Sequence, residues 1–490
     1  MPFAQLRRTL LPVLATGLAV LSRGVATTDE SAAHPLSARP TEPSPPNAQV
    51  RTTSSDWLAL LPDGEEKRRF ILDCTGCHQF DERVALTQGR ARNAAEWEVA
   101  ITKMLGFAGA TTGFPVISAS RDAATTALWL TQSLAGKTPS VPQERDAGAS
   151  PPNATTLTEF PLPVTNDLPH DVAVNRDGRV VVTGMFTHQM YVLNPATRYV
   201  ERVAIPVAGA NPRAIEIDSE GDWWVVLGAP NRLARYSPTA ARWRTYNVGV
   251  YPHSVALDAT GDAWFNGHFT RDPEHVGRVS RAKGTVTVYR LPPHPELATT
   301  AGGPIPYEIR VAPDGRVWTS ELQGNRLIGF DPVTGAADIV AMPERFSGPR
   351  RFDIDRAGIL WIPAYATNEL VRYDPGSRKF DRYPLPRRDE VPYVARVDDE
   401  LDIVWVGTSA SDAVHAFTRA TKQWRTYPLP TRGSLVRHMA IDPKTHDLWA
   451  APGAAPGGDP ARVIRISPTR ASRDRSQRDE AADRRWRGPA

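Results

Sequence analysis

Cysteine is scarce in this sequence: its 490 residues contain only Cys74 and Cys77. The formal net charge of +4 is small for the length and gives no reason to expect a nucleic-acid partner. The apolar run at residues 9–21 is too short to cross a membrane and contains Pro12. No cysteine lies at the predicted cleavage region, so a lipid anchor is not expected. Helix-forming runs are few beside 45 prolines, which favours strands and turns over most of the chain.

The first 26 residues have the pattern of a secretory signal. Arg7 and Arg8 precede the apolar run, and the small residues Gly24 and Ala26 follow it. We therefore expect an exported, periplasmic protein with no integral membrane segment after cleavage.

The length predicts two or three structural units, and composition divides the chain. Residues 27–54 and 137–157 are rich in proline and small polar residues and are predicted to be linkers. Between them, residues 55–136 are predicted to form a small helical domain. Residues 158–469 are rich in short strands, and residues 470–490 form an arginine-rich tail that we expect to be disordered.

The two cysteines belong to the segment Cys74-Thr75-Gly76-Cys77-His78. C-x-x-C-H is the pattern of covalent c-type haem attachment, in which both thiols form thioethers and the histidine becomes the proximal iron ligand. A redox-active disulfide is the alternative, but it leaves the histidine unexplained. The sequence therefore predicts one haem c, bound through Cys74 and Cys77, with His78 as an axial ligand.

Helical patterns at residues 64–77, 94–105 and 122–134 surround this motif. Three helices around a haem resemble class I cytochrome c over residues 55–136. An electron-transferring haem of this kind needs a sixth ligand, and Met104 is the one methionine of the segment. Two alternatives stay open: Met104 fills the core, or the iron is open and binds a small molecule.

An internal repeat fills the rest of the chain. Each copy starts with proline or an equivalent and a polar residue, and about ten residues later a turn leads into an aromatic strand. The seven starts are Pro169-His170, Pro212-Arg213, Pro252-His253, Pro306-Tyr307, Pro349-Arg350, Pro392-Tyr393 and Val436-Arg437. Four short strands per copy predict a seven-bladed β-propeller, with residues 159–163 completing the last blade and tryptophans in the blade cores. The predicted fold is thus a small all-α cytochrome c domain followed by an all-β seven-bladed propeller.

The repeat resembles the virginiamycin B lyase (streptogramin lyase) family of propellers, most closely in the copy that begins at Pro306. The resemblance implies the fold. It does not imply the lyase reaction, because the family's metal-binding glutamates have no match: the last blade has Val436 and Arg437 at its start and Ala450 and Ala451 after its tryptophan.

Because the first strands of all blades surround one channel, their polar starts are expected to converge at its mouth. The channel candidates are His170, His253, Tyr307, Glu308, Arg350 and His438. Together with further arginines they would suit an anionic ligand, or they line a water-filled channel. A divalent cation held by Glu308 and Glu321 is a weaker alternative.

These patterns predict a haem protein that carries single electrons, with a propeller that binds a redox partner protein or a small, anionic substrate. An oxidoreductase activity is compatible with this. Two alternatives stay open: a propeller lyase or hydrolase with an accessory haem, and a ligand-binding or sensing module.

Overall fold

The computed structural model describes residues 52–106, 121–140, 156–228, 231–268, 274–297, 303–453 and 461–468. The predicted signal sequence and the charged tail lie outside the described residues. The description begins at Thr52, inside the segment predicted to be a linker, and Thr52 to Ser54 are buried. Asp56 Oδ2 accepts hydrogen bonds from the backbone and hydroxyl of Thr53 and so caps the first helix.

The described residues before the propeller form five helices and a two-stranded hairpin. They are α1 Ser54–Leu58, α2 Glu65–Cys74, α3 Glu82–Ala85, α4 Ala94–Leu105 and α5 Ala123–Leu134, with the hairpin Leu86–Thr87 and Arg90–Ala91. The three helices that the sequence predicts are confirmed as α2, α4 and α5. No helix within the described ranges is long and apolar enough to span a membrane.

Side-chain caps fix where α4 begins. Asn93 and Glu96 accept hydrogen bonds from each other's backbone N–H groups, both at 3.0 Å. Trp97 and Ile101 of this helix are buried. Met104, predicted on the same buried face, is only half-buried in the last turn.

The strands form seven four-stranded antiparallel sheets, which are the blades of the predicted propeller. Blades 1 to 4 consist of Pro169–Val174, Val180–Gly184, Gln189–Leu193 and Val200–Ala204; Pro212–Ile217, Trp223–Leu227, Arg232–Ser237 and Arg242–Asn247; Tyr251–Leu257, Ala263–His268, His275–Val279 and Val286–Arg290; Pro306–Val311, Val317–Glu321, Arg326–Phe330 and Ala337–Ala341. Blades 5 to 7 consist of Asp353–Ile354, Leu360–Ala364, Glu369–Asp374 and Lys379–Pro384; Pro392–Asp398, Ile403–Thr408, Ala413–Thr418 and Gln423–Pro428; Val436–Ile441, Leu448–Pro452, Arg462–Ser467 and Thr156–Pro161.

The last blade closes the ring, as predicted. Its outer strand, Thr156–Pro161, comes from before blade 1 and pairs with Arg462–Ser467. This pairing joins the two ends of the repeat and removes the open sheet edges that a linear array would have.

The repeated tryptophans lie in the blade cores, as predicted, and several are fixed by a repeated aspartate. Trp264 Nε1 donates to Asp258 Oδ2 at 2.9 Å, and Trp361 Nε1 donates to Asp355 Oδ2 at 3.0 Å. In both pairs the aspartate begins the turn after the first strand, so one carboxylate accepts hydrogen bonds from both the turn backbone and the buried indole N–H.

The helices pack directly on the propeller. One hydrophobic cluster contains Phe70 and Leu72 of α2 together with Leu322 and Tyr365 of the propeller. The buried ammonium group of Lys67 lies 2.9 Å from the carboxylate of Asp389, at the start of blade 6. The two parts that the sequence predicts as separate domains therefore share a core.

Gly348→Ala tests this packing. Gly348 has φ +65°, and an added Cβ would lie 2.2 Å from Leu72 Cδ2. We expect a loss of about 2 to 4 kcal/mol in the free energy of unfolding, from the left-handed backbone and the clash together. Urea denaturation measures it.

Gly358→Ala is the matched control, because Gly358 has φ +83° but no atom within 4 Å of the added Cβ. It should cost only about 1 kcal/mol. Adding Leu72→Ala to Gly348→Ala should remove the clash in a double-mutant cycle. Equal losses for both glycine variants would contradict the contact between α2 and blade 5.

Candidate functional site

The C-x-x-C-H segment, residues 74–78, begins at the last residue of α2. Thr75 Oγ1 donates to Ile71 O at 2.7 Å, which extends the hydrogen bonding of α2. The same hydroxyl accepts from Tyr365 Oη at 2.8 Å, in the turn after the second strand of blade 5. The segment is thus held between its own helix and the propeller.

The two thiols are free, and their surroundings keep them protonated. Burial raises the pKa of Cys74 to about 12. Burial also raises the pKa of Cys77, although Arg437, Arg350 and Arg213 oppose the rise. Redox-active C-x-x-C motifs need a lowered thiol pKa, so this environment is opposite to that of a disulfide oxidoreductase.

His78 is oriented by its backbone neighbour. Its Nδ1–H donates to Gln79 O at 3.0 Å, which leaves Nε2 as the nitrogen with a lone pair. Histidine ligands of metals are commonly fixed in this way, by a hydrogen bond from the other ring nitrogen. Gln79 is itself anchored, because its Nε2 donates to Asp412 Oδ1 at 2.9 Å and to Ser434 O at 3.1 Å. These residues fit the ligand set that c-type haem requires.

Arg437, at the start of blade 7, binds the backbone of the same segment. Its Nη1 donates to Gly76 O at 3.1 Å and its Nη2 to Cys77 O at 2.9 Å. Its Nε donates to Gly453 O at 3.0 Å. One buried guanidinium therefore connects the C-x-x-C-H segment to the propeller channel.

Below this segment lies a ring of seven buried side chains, one from each blade start, which we name the upper ring. Its members are His170, Arg213, His253, Tyr307, Arg350, Tyr393 and Arg437. Six of the seven first strands have a register shift at this point. Such bulges redirect side chains, and here they let successive residues face the channel.

Arg350 occupies a cage of three tyrosine rings. Its guanidinium carbon lies 3.8 Å from the ring centre of Tyr365, 4.2 Å from that of Tyr393 and 5.0 Å from that of Tyr307. The side chain is fully buried, and none of its three nitrogens has a hydrogen-bond partner among the described residues. Among the described residues, its positive charge is therefore stabilised by cation–π contacts with these rings.

Two of these tyrosines are hydrogen-bonded to each other. The hydroxyl oxygens of Tyr307 and Tyr393 lie 2.5 Å apart. Burial raises the pKa of Tyr307. Burial acts on Tyr393 in the same direction, but Arg350, Arg437 and Arg351 outweigh it, and the pKa of Tyr393 is lowered.

His253 extends the aromatic contacts around the ring. Its ring centre lies 4.3 Å from that of Tyr307 and 6.4 Å from that of His170. Its Nδ1–H donates to Tyr307 O at 2.6 Å. Upper-ring residues of blades 1, 3, 4, 5 and 6 are therefore in contact.

A second layer of charged side chains lies one residue further along the first strands. Asp171 is at its centre: Oδ1 lies 2.7 Å from His170 Nδ1, and Oδ2 lies 2.7 Å from Arg351 Nη1 and 3.4 Å from His438 Nε2. Burial raises the pKa of Asp171, but Arg351 and the two histidines hold it well below its usual value. Burial lowers the pKa of His170 to about 3 and that of His438 well below its usual value. Both histidines are therefore neutral near neutral pH.

Glu308 and Glu321, the weaker candidates for a cation site, are each paired with an arginine. Glu308 Oε1 lies 2.7 Å from Arg310 Nη2, and Glu321 accepts from Arg326 at 2.5 and 3.0 Å. Within the part of the chain that the structure describes, no group of three or more His, Cys, Asp or Glu side chains is placed to hold a metal ion.

Sequence analysis missed several residues of this site. Tyr365 follows a tryptophan strand and has no equivalent in the repeat. Asp171, Arg310 and Arg396 lie one or more positions after the repeated blade starts. Asp171 faces the channel together with His170 because the register shift of its strand exposes consecutive residues, whereas a regular strand would turn every second one away.

Arg437→Met is expected to loosen the C-x-x-C-H segment, because three carbonyl groups lose their donor. Hydrogen–deuterium exchange of residues 70–80 should rise at least several-fold. Arg419→Met is the matched control: it removes a half-buried arginine that pairs with Asp355 and Asp399 of the propeller alone. Increased exchange in both variants, or in neither, would contradict the role of Arg437.

The buried histidines predict acid sensitivity. Unfolded His170 takes up a proton below its ordinary pKa of 6.5, whereas the folded residue does so only near 3. Stability is thus lost as the pH falls through this window, by up to about 1.4 kcal/mol per pH unit. His170→Asn should lose less stability than the wild type between pH 7 and pH 5, by up to about 2 kcal/mol in urea denaturation. Parallel losses would show that His170 is protonated in the folded protein.

No protein-family model and no curated protein sequence matches the chain. Among solved structures, it is similar to a streptogramin B lyase, with a TM-score of 0.56, 18% identity, and coverage of 64% of this chain and 98% of that one. It is also similar to virginiamycin B lyase from Staphylococcus aureus, with a TM-score of 0.55, 18% identity, and coverage of 64% and 99%. For hydrazine synthase from Kuenenia stuttgartiensis the values are 0.51, 13%, 63% and 98%. At these identities the similarity concerns the fold alone: the chain contains a seven-bladed β-propeller that resembles virginiamycin B lyase in structure.

Proposed function

We propose that this chain is an exported c-type haem protein that carries single electrons to or from a ligand at the propeller mouth. In this proposal residues 55–136 are the cytochrome c domain and residues 158–469 the propeller. The signal pattern of residues 1–26 supports a periplasmic location, where c-type haem is attached.

Three observations support haem attachment at residues 74–78. The motif has both cysteines and the following histidine. The thiols have a raised pKa, which disfavours the alternative disulfide chemistry. The Nδ1–H of His78 is bonded to a carbonyl, so Nε2 has the lone pair that an iron ligand needs.

When bound, the haem would supply a reversible one-electron centre. Cys74 and Cys77 would hold it covalently, and His78 would be the proximal ligand. Met104 is the proposed second axial ligand, and it is half-buried at the end of α4. Residues 107–120, which follow α4, lie outside the described residues.

The single observation that carries the proposal is the hydrogen bonding of Arg437 to Gly76 O and Cys77 O. It puts the C-x-x-C-H segment in contact with the upper ring. A ligand in the channel would therefore lie close to the haem-binding segment, which favours direct electron exchange over a haem that is remote from the propeller.

The upper ring also indicates the charge of the ligand that it would bind. It contains three arginines and no carboxylate. Guanidinium groups favour carboxylate and phosphate groups. Because these arginines are buried, a small anionic substrate inside the channel fits them better than the surface of a redox partner protein. The paired carboxylates Glu308 and Glu321 give no support to a metal-dependent lyase reaction.

Optical spectra of the protein, expressed with the c-type maturation machinery, test the proposal. The wild type should contain one covalent haem that is low-spin in both oxidation states. Met104→Ala should lose the methionine-to-iron charge-transfer band and become high-spin. Met190→Ala, in the core of blade 1, is the matched control and should keep the band.

Absence of covalent haem would refute the proposed function. A high-spin wild type would refute the Met104 assignment and favour binding of a small molecule at the iron.

A further inference from the structure

The upper ring contains a buried positive charge whose counter-charge is not a carboxylate. No ion pair joins Arg350 or Arg437 to an acidic side chain within the described ranges. Arg437 has three backbone carbonyls as acceptors, but Arg350 has only aromatic rings around it. An isolated buried charge is costly, so a negative group close to Arg350 would stabilise the fold.

The titratable groups that face Arg350 are Tyr307, Tyr365, Tyr393 and Cys77. Attachment of haem would convert the Cys77 thiol into a thioether, which cannot ionise. Only the tyrosines then remain as a source of negative charge beside Arg350.

The tyrosines differ in their hydrogen bonds. Tyr365 shares its hydroxyl with Thr75 and Ser409, which are neutral. The hydroxyl groups of Tyr307 and Tyr393 are hydrogen-bonded to each other, so one of them donates its proton and the other accepts it. Arg437 Nη1 also lies 3.4 Å from Tyr393 Oη.

We propose that the Tyr307–Tyr393 pair holds one proton and one negative charge, which neutralises Arg350, and that the pair takes up a second proton when the haem is reduced. Tyr393 is the phenolate and Tyr307 is the hydrogen-bond donor. This inference rests on the proposed haem, but the phenolate itself is a property of the propeller.

The groups around the pair favour this assignment. Arg350 and Arg351 from blade 5 and Arg437 from blade 7 lower the pKa of Tyr393. The rings of His253 and Tyr365 cover the pair from blades 3 and 5. Burial opposes the negative charge by raising the pKa of Tyr393, but these three arginines together outweigh it.

In the proposed step, one proton is taken up for each electron. If a redox partner protein supplied one electron to a bound haem, the Tyr393 phenolate would take up one proton from solvent and become a phenol. No covalent bond other than this O–H bond forms or breaks. Because reduction makes the haem more negative, it raises the pKa of the nearby pair and favours the protonated form.

Ultraviolet resonance Raman spectroscopy of the oxidised protein tests the phenolate directly. We expect tyrosinate bands at neutral pH in the wild type. They should be absent from Tyr393→Phe and from Arg350→Met, which removes the positive charge at similar volume. Tyr373→Phe, a buried tyrosine in the core of blade 5, is the matched control and should keep the bands. Only neutral tyrosine bands in the wild type would overturn the proposal.

Potentiometry of the haem over pH tests the redox link. Between the pKa values of the pair in the two oxidation states, the wild-type potential should fall with rising pH by up to about 59 mV per pH unit, the one-electron equivalent of a tenfold change. Tyr393→Phe should abolish this slope. Tyrosinate bands with an unchanged slope in Tyr393→Phe would overturn the redox link. A protein without haem would refute the proposed function and still allow the Raman test.

Discussion

The hydrogen bonds of Arg437 to the backbone of Gly76 and Cys77 are the contact on which the site depends. They fix the C-x-x-C-H segment over the channel, where Tyr365 and Gln79 add further bonds. Because the apolar face of α2 covers the same region, the upper ring is removed from water. Electrostatic interactions inside it are therefore stronger than they would be at an open propeller mouth.

The arginines of the channel are neutralised in two different ways. In the second layer of charged side chains, arginines pair with carboxylates, as Arg351 does with Asp171 and Arg310 with Glu308. In the upper ring, Arg350 has tyrosines in place of carboxylates. A phenol can change its charge at modest cost when cations surround it, whereas a paired carboxylate stays ionised. The layer next to the C-x-x-C-H segment is therefore the one suited to proton exchange.

The propeller could be predicted almost completely from the sequence. Its period, its Gly and Asp turns and its buried tryptophans are local features, and each blade repeats them. The positions of α4 and α5 could also be predicted, because Asn93 and Asp122 mark where these helices begin. Burial was harder: Leu128 of α5 is 53% exposed although it lies in an apolar run with Trp129 and Leu130. Helical period alone does not say which neighbour covers a side chain.

The sequence by itself determined the chemistry that is encoded in adjacent residues: the C-x-x-C-H motif, the seven blade starts and the polar character of their second residue. Only the tertiary structure decided that α2 packs against Gly348 and that Arg437 binds the motif. It also decided that Arg350 lies among three tyrosines from three blades. Except for the contact of Arg350 with Tyr365, these contacts join residues more than 40 positions apart. They depend on strand bulges and on the orientation of the helices over the ring, which no local pattern specifies.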